Sequence, residues 1–228
     1  MLRRFALTGA ALAVAFAGAG PALAATTLAD WEMNEPAGAT AMHDSGPSNL
    51  SGTIGSAVQT GVSVGGAKGY RWSAQNKDGK HPERLVKVSG SLLNPATGDF
   101  VVTIRLRTGA GDQNIIQKGQ STTAGGMWKI DMVKGRVKCT FKGSQGSVGV
   151  GSSGTVWDSV WHTVRCERRS NSVSITVDRG TPRTTAGATG TIANSSTLAI
   201  GGKSSCNPPT VQCDYYVGLL DRVLIQRP

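Results

Sequence analysis

"VWHTVRCERRSNSVSITVDR", Val160 to Arg179, is the stretch on which the fold turns. Val164 and Cys166 fall on one side of an extended chain. After a polar break at Arg169-Ser-Asn-Ser172, Val173, Ile175 and Val177 again share one side. Period-two alternation on both flanks of a short polar turn is the pattern of a β-hairpin with one apolar face. The same stretch also carries Trp161 and His162, a cysteine and a cluster of arginines. It can therefore be read as a catalytic element, a binding surface or part of a scaffold.

The alternation continues on either side. In "DFVVTIRLRT" Phe100, Val102, Ile104 and Leu106 share one face, and Val101, Thr103, Arg105 and Arg107 the other. "MWKIDMVKGRVKCTFKG" reads as a hairpin turning at Lys134-Gly135, with Ile130 and Met132 on one arm and Val137, Cys139 and Phe141 on the other. "TTLADWEM", "RLVKVSG", "NIIQKG", "TLAIGG" and "YYVGLLDRVLIQR" supply further strands. No helix-period pattern of useful length appears after the N-terminal segment, and there is no internal repeat or linker. The fold class is all-β: one domain built as an antiparallel two-sheet β-sandwich, each strand with one apolar and one polar face.

Residues 1–24 stand apart. Met1-Leu-Arg-Arg is basic, Phe5 to Gly20 is apolar and small, and Ala22-Leu23-Ala24 is a small-x-small cleavage signature. This is the form of a secretory signal peptide, which leaves residues 25–228 as the mature, secreted domain. The apolar run is short and rich in Ala and Gly for a membrane span, and no later segment is long and apolar enough to be one. With 31 glycines and 17% charged residues, the chain suits many short strands joined by glycine turns. Its formal charge is +10. Without Arg3 and Arg4, 22 basic residues face 14 acidic ones, an excess of +8 that attracts anionic partners.

The four cysteines are Cys139, Cys166, Cys206 and Cys213. Export favours two disulfides, and three pairings are possible in principle. The in-phase, inward positions of Cys139 and Cys166 and the close spacing of Cys206 and Cys213 select those two pairs. The first would join neighbouring strands and the second would hold a surface loop. The spacing does not suit zinc.

Several phrases together resemble a known family. "WHTVRCERRSNSVSITVD", "LAIGG" and "VGLLDRVLI" are similar, in that order, to signatures of laminin G-like domains, members of the concanavalin A-like jelly-roll group. "LADWEMNEPAGATAMHDSGPSNLSGTIG" resembles the opening of bacterial members. Arg179 stands where the family usually has Gly, and Arg105 and Arg107 lie on a strand that often carries Trp. The resemblance implies two sheets of about six or seven strands, one curved around a groove, and an architectural role for Trp161 and His162. Lectins, adhesive modules, glycoside hydrolases and polysaccharide lyases share the fold, so function rests on the site. It further implies a structural Ca²⁺ held by Asp221 with Asp44, oxygen ligands of the kind calcium takes.

Catalytic patterns are sparse. A Gly-x-Ser-x-Gly elbow is absent. So is the Glu-x-Asp-x-Glu strand motif of hydrolases with this fold; Asp30 and Glu32 are its nearest echo. Gln-x-His and Tyr-x-Lys-x-Gly lyase motifs are also missing. The informative feature is basic: Arg105, Arg107, Lys129, Lys138, Lys142 and Arg165 all fall out of phase with the core. If their strands share a sheet, they converge on one exterior face that can grip carboxylate or sulfate. Trp72, Trp128, Tyr215 and Tyr216 are the candidate aromatic platforms. The expectation is a secreted, monomeric, non-catalytic module that binds a carbohydrate or other extracellular ligand, favouring acidic polysaccharide, through an exposed sheet and the Cys206–Cys213 loop. The alternatives are a polysaccharide-cleaving lyase or glycoside hydrolase of the same fold, and a protein-binding adhesive module. Nucleic acid has no recognisable motif here.

Overall fold

A computed structural model describes residues 24–74, 79–208 and 210–228; the expected signal segment lies, but for its last residue, outside the described residues. The chain forms two eight-stranded sheets. Sheet I contains β1 (Thr26–Trp31), β4 (Gln59–Ser63), β5 (Lys68–Trp72), β7 (Phe100–Arg107), β12 (Trp161–Arg169), β13 (Ser172–Val177), β14 (Arg183–Ala186) and β16 (Gly218–Arg227). Sheet II contains β2 (Ala41–Met42), β3 (Gly52–Ile54), β6 (Val86–Val88), β8 (Gln113–Lys118), β9 (Met127–Val133), β10 (Arg136–Gly143), β11 (Gly146–Gly151) and β15 (Leu198–Ile200).

Sheet I runs β14-β13-β12-β7-β16-β5-β4, with β1 on the far end of β16; sheet II runs β11-β10-β9-β8-β15-β6-β3-β2. Every pairing is antiparallel. This is the antiparallel sandwich that the alternation predicts and the jelly roll that the resemblance implies, with eight strands in each sheet rather than six or seven. The hairpins at 133–136 and 169–172 turn where expected. Lys134 and Gly135 both adopt positive φ, the geometry of a two-residue turn matched to strand twist.

The residues in phase fill the space between the sheets. Val102, Ile104, Leu106, Val164, Val173 and Val223 from sheet I meet Ile130, Val137, Phe141 and Ile200 from sheet II, all at 0% exposure. Phe100 lies 5.5 Å from Trp128 and 6.5 Å from Phe141 between ring centres, an aromatic knot at one end of the core.

Both disulfides form as expected. Cys139 and Cys166, however, are on β10 and β12, which belong to different sheets, so this bridge staples the sandwich across its core rather than joining strand neighbours. Phase reveals which side of a strand a cysteine takes but not which sheet it belongs to. β2, β3, β4, β5, β11 and β14 were not legible as strands: β2, β3 and β14 are two to four residues long, and "QTGVSVGGAKGYRW" and "GSVGVG" carry too many glycines for the alternation to stand out.

Candidate functional site

The three arginines of β12 have three different fates. Arg165 points outward and pairs with Glu167 at 3.0 Å. Arg169 is exposed and pairs with Asp99 at 2.8 Å and with Glu167. Arg168 turns inward, 1% exposed, and donates to the carbonyls of Gly98 and Gly190 and to Thr189 Oγ1. Burial lowers the Arg168 pKa, and the carbonyl cage holds the charge that burial disfavours. It ties the β7 entry loop to the segment before Thr191 and is a scaffold residue.

The outer face of sheet I gathers most of the arginines. One transverse row runs Arg71, Leu219, Arg107, Trp161 over β5, β16, β7 and β12. The next row holds Arg222, Arg105 and Thr163, and the one after it Leu224, Thr103 and Arg165. The ladder of β16 shifts register between Leu220 and Arg222, which leaves Asp221 as an extra residue beside Arg105.

The two inner rows form a charge-paired half. Arg105 pairs with Asp221 and lies 4.5 Å from the ring centre of Trp161, a cation–π contact. Arg222 forks onto Asp30, with Nε at 2.7 Å from Oδ1 and an Nη at 2.5 Å from Oδ2. The hydrogen bonds to Asp30 raise the Arg222 pKa. A cavity of about 420 Å³ opens among Glu32, Lys68, Thr103, Arg105, Thr163 and Asp221. Glu32 accepts from Asn34 Nδ2 at 3.0 Å.

The first row borders a different environment. A shallow depression of about 450 Å³ is bounded by Arg71, Arg107, Thr108, Ser159, Gly218 and Leu219. Arg107 donates through Nε to the Ser159 carbonyl at 2.6 Å. Neither Arg71 nor Arg107 has a carboxylate partner among the described residues. Two guanidinium groups flanking one depression offer forked donors to an anionic or hydroxyl-rich ligand.

Lys129, Lys138 and Lys142 do not join this face. They are on β9 and β10, in sheet II, with Lys129 paired to Asp131 and Lys142 Nζ donating to Ser121 O at 2.6 Å. The single basic face expected from phase is thus split between two sheets. Tyr216 is wholly buried, its hydroxyl 3.3 Å from Arg107 O and 3.0 Å from Leu219 O, so it cannot touch a ligand. Trp72 and Trp128 are likewise in the core, their indole N–H groups donating to Arg84 O and Leu93 O.

Tyr215 is half-buried and belongs to none of the arginine rows, its ring 5.9 Å from that of His81 and 5.5 Å from the Arg84 guanidinium carbon. The Cys206–Cys213 loop is anchored near β8 through Asn114 N to Asp214 O (2.7 Å) and an ion pair between Lys203 and Asp214.

His162 is placed by carboxylates rather than by backbone. Nδ1 lies 2.9 Å from Asp178 Oδ2 and Nε2 3.0 Å from Asp158 Oδ1. Burial opposes the charge, but the bonds to Asp178 and Asp158 outweigh it and raise the imidazole pKa. Two carboxylates on the two ring nitrogens fit an imidazolium that pins the 158–160 loop to the turn after β13. Trp161 is not a core residue either: it is half-buried on the outer face under Arg105.

Asp44 and Asp221 have separate duties. The Asp44 carboxylate accepts the backbone N–H groups of Asp30 (2.8 Å), Gly46 (2.8 Å) and Leu50 (2.7 Å), while Asp221 faces Arg105. These donor sets do not fit a shared cation site.

Paired antiparallel sheets, with a cavity and an arginine-flanked depression on one outer face, define a jelly-roll sandwich. Residues 106–227, more than half of the chain, match the laminin G domain model, and the chain belongs to that family. No curated protein matches it. Among solved structures it is similar to domain 4 of AbnA, a GH43 extracellular arabinanase from Geobacillus stearothermophilus, in complex with arabinotriose (TM-score 0.59, 13% identity, 89% of this chain and 93% of that one). It also resembles the binding domain of botulinum neurotoxin DC in complex with SialylT (0.55, 13% identity, 88% and 46%), and mouse laminin alpha1 domains LG4-5 (0.48, 21% identity, 57% and 37%). The chain thus spans less than half of the neurotoxin and laminin chains. At these identities the likeness shows the fold alone.

Proposed function

We propose that the protein is a secreted, non-catalytic glycan-binding module, and that it takes acidic polysaccharide on the outer face of sheet I at the Arg71–Arg107 depression. The observation that carries this reading is the pair of guanidinium groups, free of carboxylate partners among the described residues, on either side of a 450 Å³ hollow. Glycan complexes of two proteins with similar folds support it. The two disulfides suit an oxidising exterior, and no described helix is long and apolar enough to cross a membrane. The acids of the adjoining cavity support the non-catalytic part. Of its two carboxylates, Asp221 faces Arg105 and Glu32 accepts from Asn34, whereas a glycosidase sets a protonated carboxyl opposite a second carboxylate.

The test is a panel of polygalacturonate, dextran sulfate and neutral glucan, followed both for retention and for release of reducing or unsaturated chain ends. Retention of the acidic chains that weakens with salt and releases no ends is the expected result. The double variant Arg71→Gln/Arg107→Gln should lose about tenfold or more in affinity. New chain ends at catalytic protein levels would make this an enzyme.

A further inference from the structure

Trp157 stands out among the described tryptophans. Trp31, Trp72 and Trp128 are 0–1% exposed and Trp161 is covered by Arg105, whereas Trp157 is 47% exposed. Its position is nevertheless fixed. A Cβ placed on Gly135 would come within 2.6–3.0 Å of Cδ2, Cε2 and Cγ, the atoms at the centre of the indole, so one face of the ring rests flat on that glycine. A Cβ on Gly111 would lie 2.8 Å from Cζ3, so a second glycine supports the six-membered ring. The backbone beneath is tied down by Val156 N to Gly135 O at 2.8 Å and by Lys134 N to Asp112 Oδ1. Any larger residue at 111 or 135 would lift the ring from its seat.

The loops that carry and seat the ring also border the arginine depression. Gly111 follows Ala110, and Trp157 precedes Ser159 by two residues; both Ala110 and Ser159 line the hollow. A flat aromatic face beside forked hydrogen-bond donors suits a pyranose, which offers an apolar C–H face and a rim of hydroxyl or carboxylate oxygens. Val133 and Val160 are the other large exposed apolar residues in or beside these loops. Three partly exposed side chains fall far short of the about 800 Å² per partner of a stable protein interface. One sugar ring matches the patch better.

We propose that the solvent-facing side of Trp157 is a stacking platform for a sugar ring of the glycan that occupies the Arg71–Arg107 depression. This deepens the glycan-binding reading and rests on it. The stacking contribution is independent of charge, and the arginine contribution is not.

The experiment measures the affinity of galacturonate hexamer over a salt series for the intact protein, Trp157→Ala, Trp157→Phe and Arg71→Gln/Arg107→Gln, with a thermal melt of each. Trp157→Ala should lose about tenfold or more with an unchanged salt slope, as for a truncated aromatic anchor. Trp157→Phe should recover most of the affinity, and the arginine variant should flatten the slope. Addition of the hexamer should perturb tryptophan fluorescence in the intact protein and much less in Trp157→Phe. If both Trp157 variants bind like the intact protein while the arginine variant loses binding, stacking is wrong and the glycan reading stands; a lower melting temperature alone would make Trp157 a packing residue. Failure of the intact protein to bind the hexamer overturns both. Trp157-dependent capture by phosphatidylserine vesicles with no response to the hexamer would reassign the platform to a lipid surface.

Discussion

Arg105 and Arg107 lie two residues apart on β7, point to the same outer face, and are alike to any reading of phase or charge. Their surroundings differ. Arg105 stacks on Trp161 and is neutralised by Asp221, while Arg107 leans on a backbone carbonyl at the rim of a depression it shares with Arg71. The same contrast separates Arg222, forked onto Asp30, from Arg71. Formal charge counts all four equally, but only Arg71 and Arg107 can offer hydrogen bonds to a newcomer without giving up a carboxylate. The excess of positive charge therefore acts at long range, and the local site is where intramolecular pairing stops.

Substitutions can break this contrast at several strengths. The largest effect should come from the third environment, that of Arg168 in its carbonyl cage. Arg168→Met leaves the carbonyls of Gly98 and Gly190 buried and unpaired, and should cost about 3 kcal/mol of unfolding free energy in denaturant titration. Arg169→Met, one residue on but at the surface, should cost about 1 kcal/mol or less. Equal losses would mean that the cage is not what holds Arg168.

Next is the comparison of the paired and open arginines. Arg107→Gln should weaken retention on polygalacturonate by about tenfold, equivalent to about 1.4 kcal/mol. Arg105→Gln should leave it within about twofold, because its charge is already answered by Asp221. A larger loss from Arg105→Gln would move the site into the 420 Å³ cavity. The converse change sharpens the contrast: Asp221→Asn releases Arg105 and should tighten binding of the acidic polymer by about threefold. Weaker binding in that variant would show Asp221 to be a ligand contact.

The smallest effect concerns the edge of the site. His162 has a raised pKa, so the stability of its clamp is complete below its unfolded value near 6.5 and is lost as pH rises through the folded value. Asp158 is lowered by the backbone N–H of Val160 and then by His162, so its share is present above its unfolded value near 3.8 and is lost as pH falls through the folded one. His162→Gln should therefore lower the melting temperature more at pH 5.5 than at pH 9. A pH-independent loss would mean that the imidazole is neutral in the fold.

Most of the scaffold was legible because alternation needs only one strand at a time. β7, β9, β10, β12 and β13 carry unbroken runs of inward apolar residues, which turn Cys139 and Cys166 inward, while Cys206 and Cys213 could be paired from their close spacing. The site was less legible because a face is a property of strand neighbours. Lys129, Lys138 and Lys142 have the same outward phase as Arg105 but sit on the other sheet. Arg71 belongs to the glycine-broken strand "KGYRW", whose pairing with β16 left no periodic trace. Trp157 lies in "SSGTVWDSV", a loop without period. Its signal is spread over Gly111 and Gly135, and only folding brings those glycines beneath one ring. For His162 a hint was available, since Asp158 and Asp178 bracket the hairpin whose first arm begins with the Trp-His pair.

The most direct measurement of the central claim is the salt dependence of polygalacturonate affinity for the intact protein beside Arg71→Gln/Arg107→Gln and Arg105→Gln. A steep slope that flattens in the double variant and survives in Arg105→Gln places the ligand between the two open arginines. Slopes that are the same in all three proteins would contradict that placement.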